Sequence, residues 1–267
     1  MNLRIFITGG ASGLGRTLAL KWAKQGAYVC IGDVHSERAQ QTLDDIHQAG
    51  GTGSFVLCDI TRQADLEAVA EHLQQQWQGV DIVVNNAGIA SAGRLETESI
   101  EQWQRVLDVN LLGMVRVSKI FAPVFRQQGG GYFVNIASQA GLTPIPRMAS
   151  YNAVKSAVVA FSETMRLELD GDNIGVTVVC PTFFKTNLAE SLQTAEPEMH
   201  VAVNKYLNRA SLTAEQVAER IFNAIEKRTF LITPDKVGHM AFMLKRLLPQ
   251  KMYLNYMLKQ TRRMTKR

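Results

Sequence analysis

Tyr151 and Lys155 stand four residues apart in Tyr151-Asn152-Ala153-Val154-Lys155, and in a helix that spacing places both side chains on one face. A phenol with its ordinary pKa near ~10 is a poor base at neutral pH. An ammonium group close by favours the phenolate and lowers that value, which makes the pair a candidate proton donor and acceptor. Such a pair is common by chance, so its weight depends on its company. Ser138 ends the run Val134-Asn135-Ile136-Ala137-Ser138, 13 residues before Tyr151. Its hydroxyl can orient a substrate oxygen and stabilise charge developing there; the competing role is a serine that caps a loop.

A second constellation lies near the start, in Thr8-Gly9-Gly10-Ala11-Ser12-Gly13-Leu14-Gly15. It follows a short apolar run directly and leads into a helical pattern. Glycines there permit a tight turn, close approach of backbone to a pyrophosphate, and close helix–strand packing. The helix N-terminus adds free N–H groups and a positive dipole end. Gly9, Ser12, Gly13, Leu14 and Gly15 are the candidate phosphate-end residues. Asp33 follows 18 residues beyond Gly15. A carboxylate at that place can accept hydrogen bonds from adenosine ribose hydroxyls and repels a 2′-phosphate, which favours NAD(H) over NADP(H). Its competing role is a solvated loop aspartate, and Arg16 or Arg38 would be the residues to attract a 2′-phosphate.

These side chains need a frame. Short β-branched runs at 3–7, 28–31, 54–57, 82–84, 132–136, 175–179 and 230–232 read as strands, and helical periodicity fills 14–25, 36–49, 63–77, 99–127, 151–170 and 214–227. Strands alternating with helices require right-handed crossovers and a parallel sheet. The predicted fold class is α/β, a doubly wound Rossmann-type parallel sheet of about seven strands with helices on both faces, plus a basic amphipathic helical C-terminal tail. Ser138 then ends the fifth strand at the sheet edge where ligands bind, beside the helix that carries Tyr151 and Lys155.

The glycine spacing is T-G-x-x-x-G-x-G. With Asn85-Asn86-Ala87-Gly88, Ser138 and Y-x-x-x-K, it resembles the short-chain dehydrogenase/reductase family over residues 1 to about 233. The resemblance implies one domain over 1–233, with a substrate lid at about 183–212 and an extension over 234–267. It implies that Asp59, followed by Ile60, contacts the adenine, although Asp59 can equally cap the next helix. Asn86, Ala87 and Gly88 would steady the sheet and let backbone approach the cofactor. Asn110 matches the fourth catalytic position, which holds a water linking lysine to solvent. Pro181 and Thr186 keep the nicotinamide-side pattern, whereas Thr182 and Phe184 depart from it. Tyr151 and Lys155 would also touch the nicotinamide ribose.

The implied reaction moves a hydride between NAD(H) and a carbonyl or alcohol carbon, with Tyr151 handling the proton, Ser138 holding the oxygen, and Lys155 with Asn110 restoring the proton. Gln139, Met148, Phe183, Phe184 and Leu188 are the substrate-facing candidates. The apolar content of 183–212 points to a lipid-like, steroid-like or aromatic ketone or secondary alcohol, or else to ordinary helix packing. Family members are mostly homodimers or homotetramers built through the helices at 99–127 and 151–170. A non-catalytic nucleotide-binding regulator on the same fold and an NADP(H)-dependent reductase are the alternatives. An epimerase or dehydratase would bring a longer substrate domain.

The chain has 267 residues, 46% of them hydrophobic, enough for one large core. Cys30, Cys58 and Cys180 lie far apart with no CxxC or metal spacing, so they read as buried small hydrophobes and no metal is expected. The opening residues leave no room for a targeting segment before the first strand, so a cytoplasmic location is expected, peripheral to a membrane if the tail binds one. The net charge of +5 conceals an asymmetry: residues 235–267 hold nine Lys/Arg and one acid, against a net −3 for the rest. The apolar and basic residues of 238–259 can form one or two amphipathic helices. These can lie on an anionic membrane, pack on a partner subunit, or close over the substrate tunnel. Residues 261–267 read as a solvated end. No stacking aromatics or reading motif supports nucleic-acid binding.

Overall fold

The structure, a computed structural model, describes residues 2–210 and 212–265. Ser211, inside the expected lid, and Lys266 and Arg267, at the end of the basic tail, lie outside the described residues.

Seven strands form one sheet: β1 (Arg4–Thr8), β2 (Tyr28–Asp33), β3 (Thr52–Leu57), β4 (Ile82–Asn85), β5 (Gly131–Ile136), β6 (Ile174–Val179) and β7 (Leu231–Ile232). Their order is β3-β2-β1-β4-β5-β6-β7, and the pairings are parallel. Strand order reverses between β1 and β4, and in such sheets ligands bind beyond the carboxyl ends of the strands at that point. The helices are α1 (Gly13–Lys24), α2 (Ser36–Gln48), α3 (Gln63–Trp77), α4 (Ile100–Leu107), α5 (Met114–Gln127), α6 (Gln139–Leu142), α7 (Ala149–Leu169), α8 (Pro197–Arg209), α9 (Ala214–Glu226), α10 (Lys236–Leu247) and α11 (Gln250–Thr261).

Central strands are apolar almost throughout because both faces are covered. On one face Ile5, Ile7 and Ile31 share a buried cluster with Leu18 and Trp22 of α1, Ile46 of α2, and Val217 and Ile221 of α9. On the other, Phe6, Val83 and Phe133 join Leu66 and Leu73 of α3, Phe121 and Phe125 of α5, and Met165 of α7. Cys30, Cys58 and Cys180 are buried and unpaired.

The strands fall where the sequence predicts them, but two predicted stretches differ from expectation. The helix expected over 99–127 is interrupted by a π-helical turn, Asp108–Gly113, between α4 and α5. The segment 183–212, expected as a lid, holds a 3₁₀ turn (Asn187–Ser191) and α8. Met199, Val203 and Leu207 recur on one face of α8 and are buried with Ala92, Met148 and Tyr151. Each contributes about 1.5–3 kcal/mol by leaving water, which is enough to dock a helix of 13 residues.

Candidate active site

The glycine turn is built for close approach. Gly9 and Gly13 have φ of +66° and +51°, where a side chain is strained. A Cβ on Gly13 would stand 2.6 Å from the Thr186 hydroxyl oxygen, so these two residues face each other closely across the turn. Asn86 Nδ2 donates to the carbonyls of Thr8 and Gly9, both at 3.0 Å. Thr8 Oγ1 accepts from the N–H groups of Asn86 and Ala87, at 3.0 and 3.1 Å. The Asn-Asn-Ala-Gly element thus clamps the turn. Gly15 does not line the cavity; its Cα packs against the Gly9 carbonyl, where a Cβ would be 2.2 Å away. Ser12 precedes α1 without capping it by its side chain, so Ser12 leaves the first-turn N–H groups of α1 available to an anion.

At the carboxyl end of β2, Asp33 is buried and held in place: its two oxygens accept from the N–H groups of Ala11 and His35, each at 3.0 Å. It stands on the cavity wall with further lone pairs. Arg16 pairs with Asp45 at 2.5 Å and Arg38 with Glu190 at 2.7 Å. Asp59 Oδ1 accepts from the Thr61 N–H (2.9 Å) and hydroxyl (2.7 Å), an Asx turn rather than a direct cap on α3, and Asp59 also lines the cavity. Ile60 lines it too, and packs onto Gly113, where a Cβ would come within 2.5 Å.

Tyr151 and Lys155 sit on the first turns of α7, buried, on one cavity wall with Ser138. Ser138 Oγ accepts from the Ala140 N–H at 3.1 Å and so also caps α6. Burial pushes the Tyr151 hydroxyl up to about 12, against the opposing effect of the Ser138 hydroxyl. Burial pushes the Lys155 ammonium down to about 8, with Cys180 the lesser, opposing influence. The lowering by the lysine expected from the sequence does not appear: desolvation governs the tyrosine, and the Ser138 hydroxyl is what opposes it. Lys155 Nζ stands 5.7 Å from the Tyr151 ring centroid and donates to the Ile136 carbonyl at 2.9 Å.

Asn110 lies behind the cavity wall. Its Oδ1 accepts from the Ile89 N–H (2.8 Å) and its Nδ2 donates to the Ile89 carbonyl (2.9 Å), as a neighbouring strand would. The carboxamide thus anchors the π turn, and π turns recur at functional sites. Gly88 fills the space between: a Cβ there would be 2.9 Å from Asn110 Oδ1 and 3.8 Å from Lys155 Nζ.

One support has no local signal in the sequence. Glu98 is buried, and its carboxylate accepts from the Ser150 N–H (3.0 Å), the Ser150 hydroxyl (3.1 Å) and the Ser91 hydroxyl (3.4 Å). It holds the start of α7, one residue before Tyr151, from 52 positions upstream.

Both ends open into one cavity of about 790 Å³, within the range of cofactor and ligand sites. Gln139, Met148, Phe183, Phe184 and Leu188 all line it, although Phe184 is largely committed to the core cluster of Leu14 and Val217. Ile145, Leu192, Val203 and Leu207 complete an apolar wall. The 183–212 segment is fastened at Glu196, at the start of α8, which accepts from the Arg94 N–H (2.8 Å), the Thr97 hydroxyl (2.6 Å) and Arg147. The tail reaches the same cavity, because Val237, Gly238 and Ala241 of α10 line it. Thr182, the departure after Pro181, donates to Asp235 at 2.8 Å, and Asp235 in turn caps α10. Gln139 Nε2 donates to the Gly238 carbonyl at 3.1 Å, and Lys245 to that of Leu142 at 2.5 Å.

A sequence profile of the short chain dehydrogenase family matches residues 4–197. The chain belongs to the short-chain dehydrogenase/reductase family. It is 31% identical over 255 residues to the probable oxidoreductase EphD of Mycobacterium tuberculosis, covering 92% of this chain and 43% of that protein. The chain therefore spans less than half the length of that relative. It is 32% identical over 255 residues to short-chain dehydrogenase/reductase family 16C member 6 of Bos taurus, covering 94% of this chain and 78% of that one. Among solved structures, a family member from Burkholderia phymatum in complex with NAD superposes with a TM-score of 0.88, 29% identity and 95% coverage of each chain.

Proposed function

We propose that this short-chain dehydrogenase/reductase uses NAD(H) to interconvert a hydrophobic ketone and its secondary alcohol, with Tyr151 as proton donor and acceptor. One observation carries the reading: Tyr151, Ser138 and Lys155 line the same cavity as the glycine turn and Asp33. The glycine cradle, whose Gly13 admits no Cβ beneath Thr186, fits a pyrophosphate, and the buried Asp33 fits a ribose diol. NAD(H), when bound, supplies or accepts the hydride.

The chain's own groups do the rest. The Ser138 hydroxyl donates to the substrate oxygen and fixes its position. In reduction the Tyr151 hydroxyl, which its burial keeps protonated well above neutral pH, gives its proton to that oxygen. Lys155, held by the Ile136 carbonyl, stabilises the phenolate that remains and returns a proton to it. Asn110 positions the Gly88 and Ile89 backbone beside Lys155. Alcohol oxidation runs the same transfers in reverse.

Asp33 supports NAD(H) over NADP(H), since a 2′-phosphate would meet a buried carboxylate while Arg16 and Arg38 are each paired with an acid. The wall of Met148, Leu188, Leu192 and Val203 supports a lipid-like, steroid-like or aromatic substrate. Exposed Leu107 and Leu112 in the 99–127 stretch and Leu167 in the 151–170 helix support a homodimer or homotetramer.

The test is NADH and NADPH binding by nicotinamide fluorescence, followed by a panel of ketones and alcohols with the preferred cofactor. Tight NADH, weak NADPH and turnover that favours apolar ketones are expected. Preference for NADPH would refute the role of Asp33, and binding of neither would refute the catalytic reading.

A further inference from the structure

We propose that α10 and α11 dock on an anionic lipid surface and turn the mouth of the catalytic cavity towards it. The second half of that statement rests on the cavity being the site of a hydrophobic substrate; the first half does not.

The outer face of α10 reverses the usual order of a surface helix. Val237, Met240 and Leu247, at spacings of three and seven, are 76%, 70% and 74% exposed, and residues so spaced lie along one side of a helix. Leu244 falls on the same side, half-buried. On α11, Met252, Leu254 and Leu258 are exposed as well. An exposed apolar row like that of α10 marks an interaction surface rather than a water-facing one.

Charge selects the occupant. Residues 235–267 carry nine Lys/Arg and one acid, Asp235. That acid is taken up within the fold, capping α10 and accepting from Thr182. Lys245 is directed at the Leu142 carbonyl. Lys236, Arg246, Lys251, Lys259, Arg262 and Arg263 are exposed, and none of the ion pairs among the described residues engages them. A second copy docked face to face would set these cations against their like. A surface that offers apolar depth and negative headgroups matches both halves of the pattern. Each helix has 12 residues, too few to span a bilayer, so the pair lies along the surface.

Position then gives the docking a purpose. Val237 begins the exposed stripe and also lines the cavity, as do Gly238 and Ala241 on the next turn. The apolar rim of the cavity and the stripe are therefore continuous. An apolar substrate dissolved in lipid passes from bilayer to cavity without crossing water.

The test is co-sedimentation of the full chain with vesicles of phosphatidylcholine alone, or of phosphatidylcholine with phosphatidylglycerol, at low and high salt. The double variant Met240→Glu/Leu247→Glu is run alongside, with NADH fluorescence to confirm that the Rossmann domain is intact. The wild type is expected to partition at least about tenfold more strongly onto the anionic vesicles, to weaken as salt rises, and to lose binding in the variant. Equal or absent partition on the two vesicle types would overturn the proposal. So would self-association that the variant abolishes, since it assigns the stripe to a second copy. Vesicle binding by a chain that binds neither NADH nor NADPH would support the docking while contradicting the reading of the cavity.

Discussion

The ammonium of Lys155 is buried with one carbonyl as its hydrogen-bond partner. Its pKa falls from 10.5 to about 8, a penalty of about 3 kcal/mol on the charged form at neutral pH. A lysine whose folded-state value is depressed destabilises the fold below about pH 8, and that effect fades as pH rises towards the ordinary value. Lys155→Met is therefore expected to raise the unfolding free energy at pH 7 by about 1–3 kcal/mol while lowering turnover at least about a hundredfold. Chemical denaturation beside steady-state rates checks it; a less stable variant would contradict the assignment. Tyr151, raised to about 12, predicts a directional pH profile. Alcohol oxidation, which needs the phenolate, keeps rising as pH climbs from neutral towards about 12, whereas ketone reduction is flat and declines above about pH 8 as Lys155 loses its charge. Tyr151, Lys155 and Ser138 were legible in the sequence because their chemistry lies in local spacing. Asn110 and Gly15 were legible as family positions, but their support of the cavity from behind required the fold. Glu98 was not legible, since its partners are 52 residues away and a lone glutamate carries no pattern.

At the scale of elements, the least legible parts were those where tertiary packing overrides local periodicity. The 99–127 stretch reads as one helix, yet a reciprocal pair of hydrogen bonds between Asn110 and Ile89 holds a π turn in its middle. The 183–212 segment lacks a strong helical signal, yet Met199, Val203 and Leu207 dock α8 over the cavity. Burial alone would raise the carboxyl of Glu196, but hydrogen bonds from Thr97, the Arg94 N–H and Arg147 hold it down at about 2. A carboxylate so depressed stabilises the fold above its ordinary value, and that contribution is lost as pH falls from about 4.5 towards 2. Glu196→Gln is thus expected to flatten the stability curve over that acid window. It should also raise KM for bulky substrates with little change in kcat. An unchanged acid-unfolding profile would show that Glu196 carries no such weight.

For the whole molecule, the doubly wound parallel sheet was readable because a βα alternation leaves few topologies. The place of the tail was not. Its charge and apolar content fit a membrane, a partner or a cover for the tunnel equally well, and only the fold shows that Asp235, Thr182 and Gln139 fasten α10 beside the cavity. Ala241 on that wall should act as a size filter. Ala241→Phe is expected to raise KM for steroid-sized ketones at least about tenfold while sparing small ones, as competing-substrate kinetics would show. Equal losses for both sizes would mean that α10 supports the fold without shaping the substrate site. No helix among the described residues is long and apolar enough to cross a membrane.

The most direct test of the account is Tyr151→Phe, assayed for NADH binding and for ketone reduction in the same preparation. The account predicts NADH affinity within about twofold of wild type and turnover reduced by about 10²–10⁴, because one proton is removed and the cradle is untouched. Turnover that survives the substitution would contradict the assignment of Tyr151 as the proton donor.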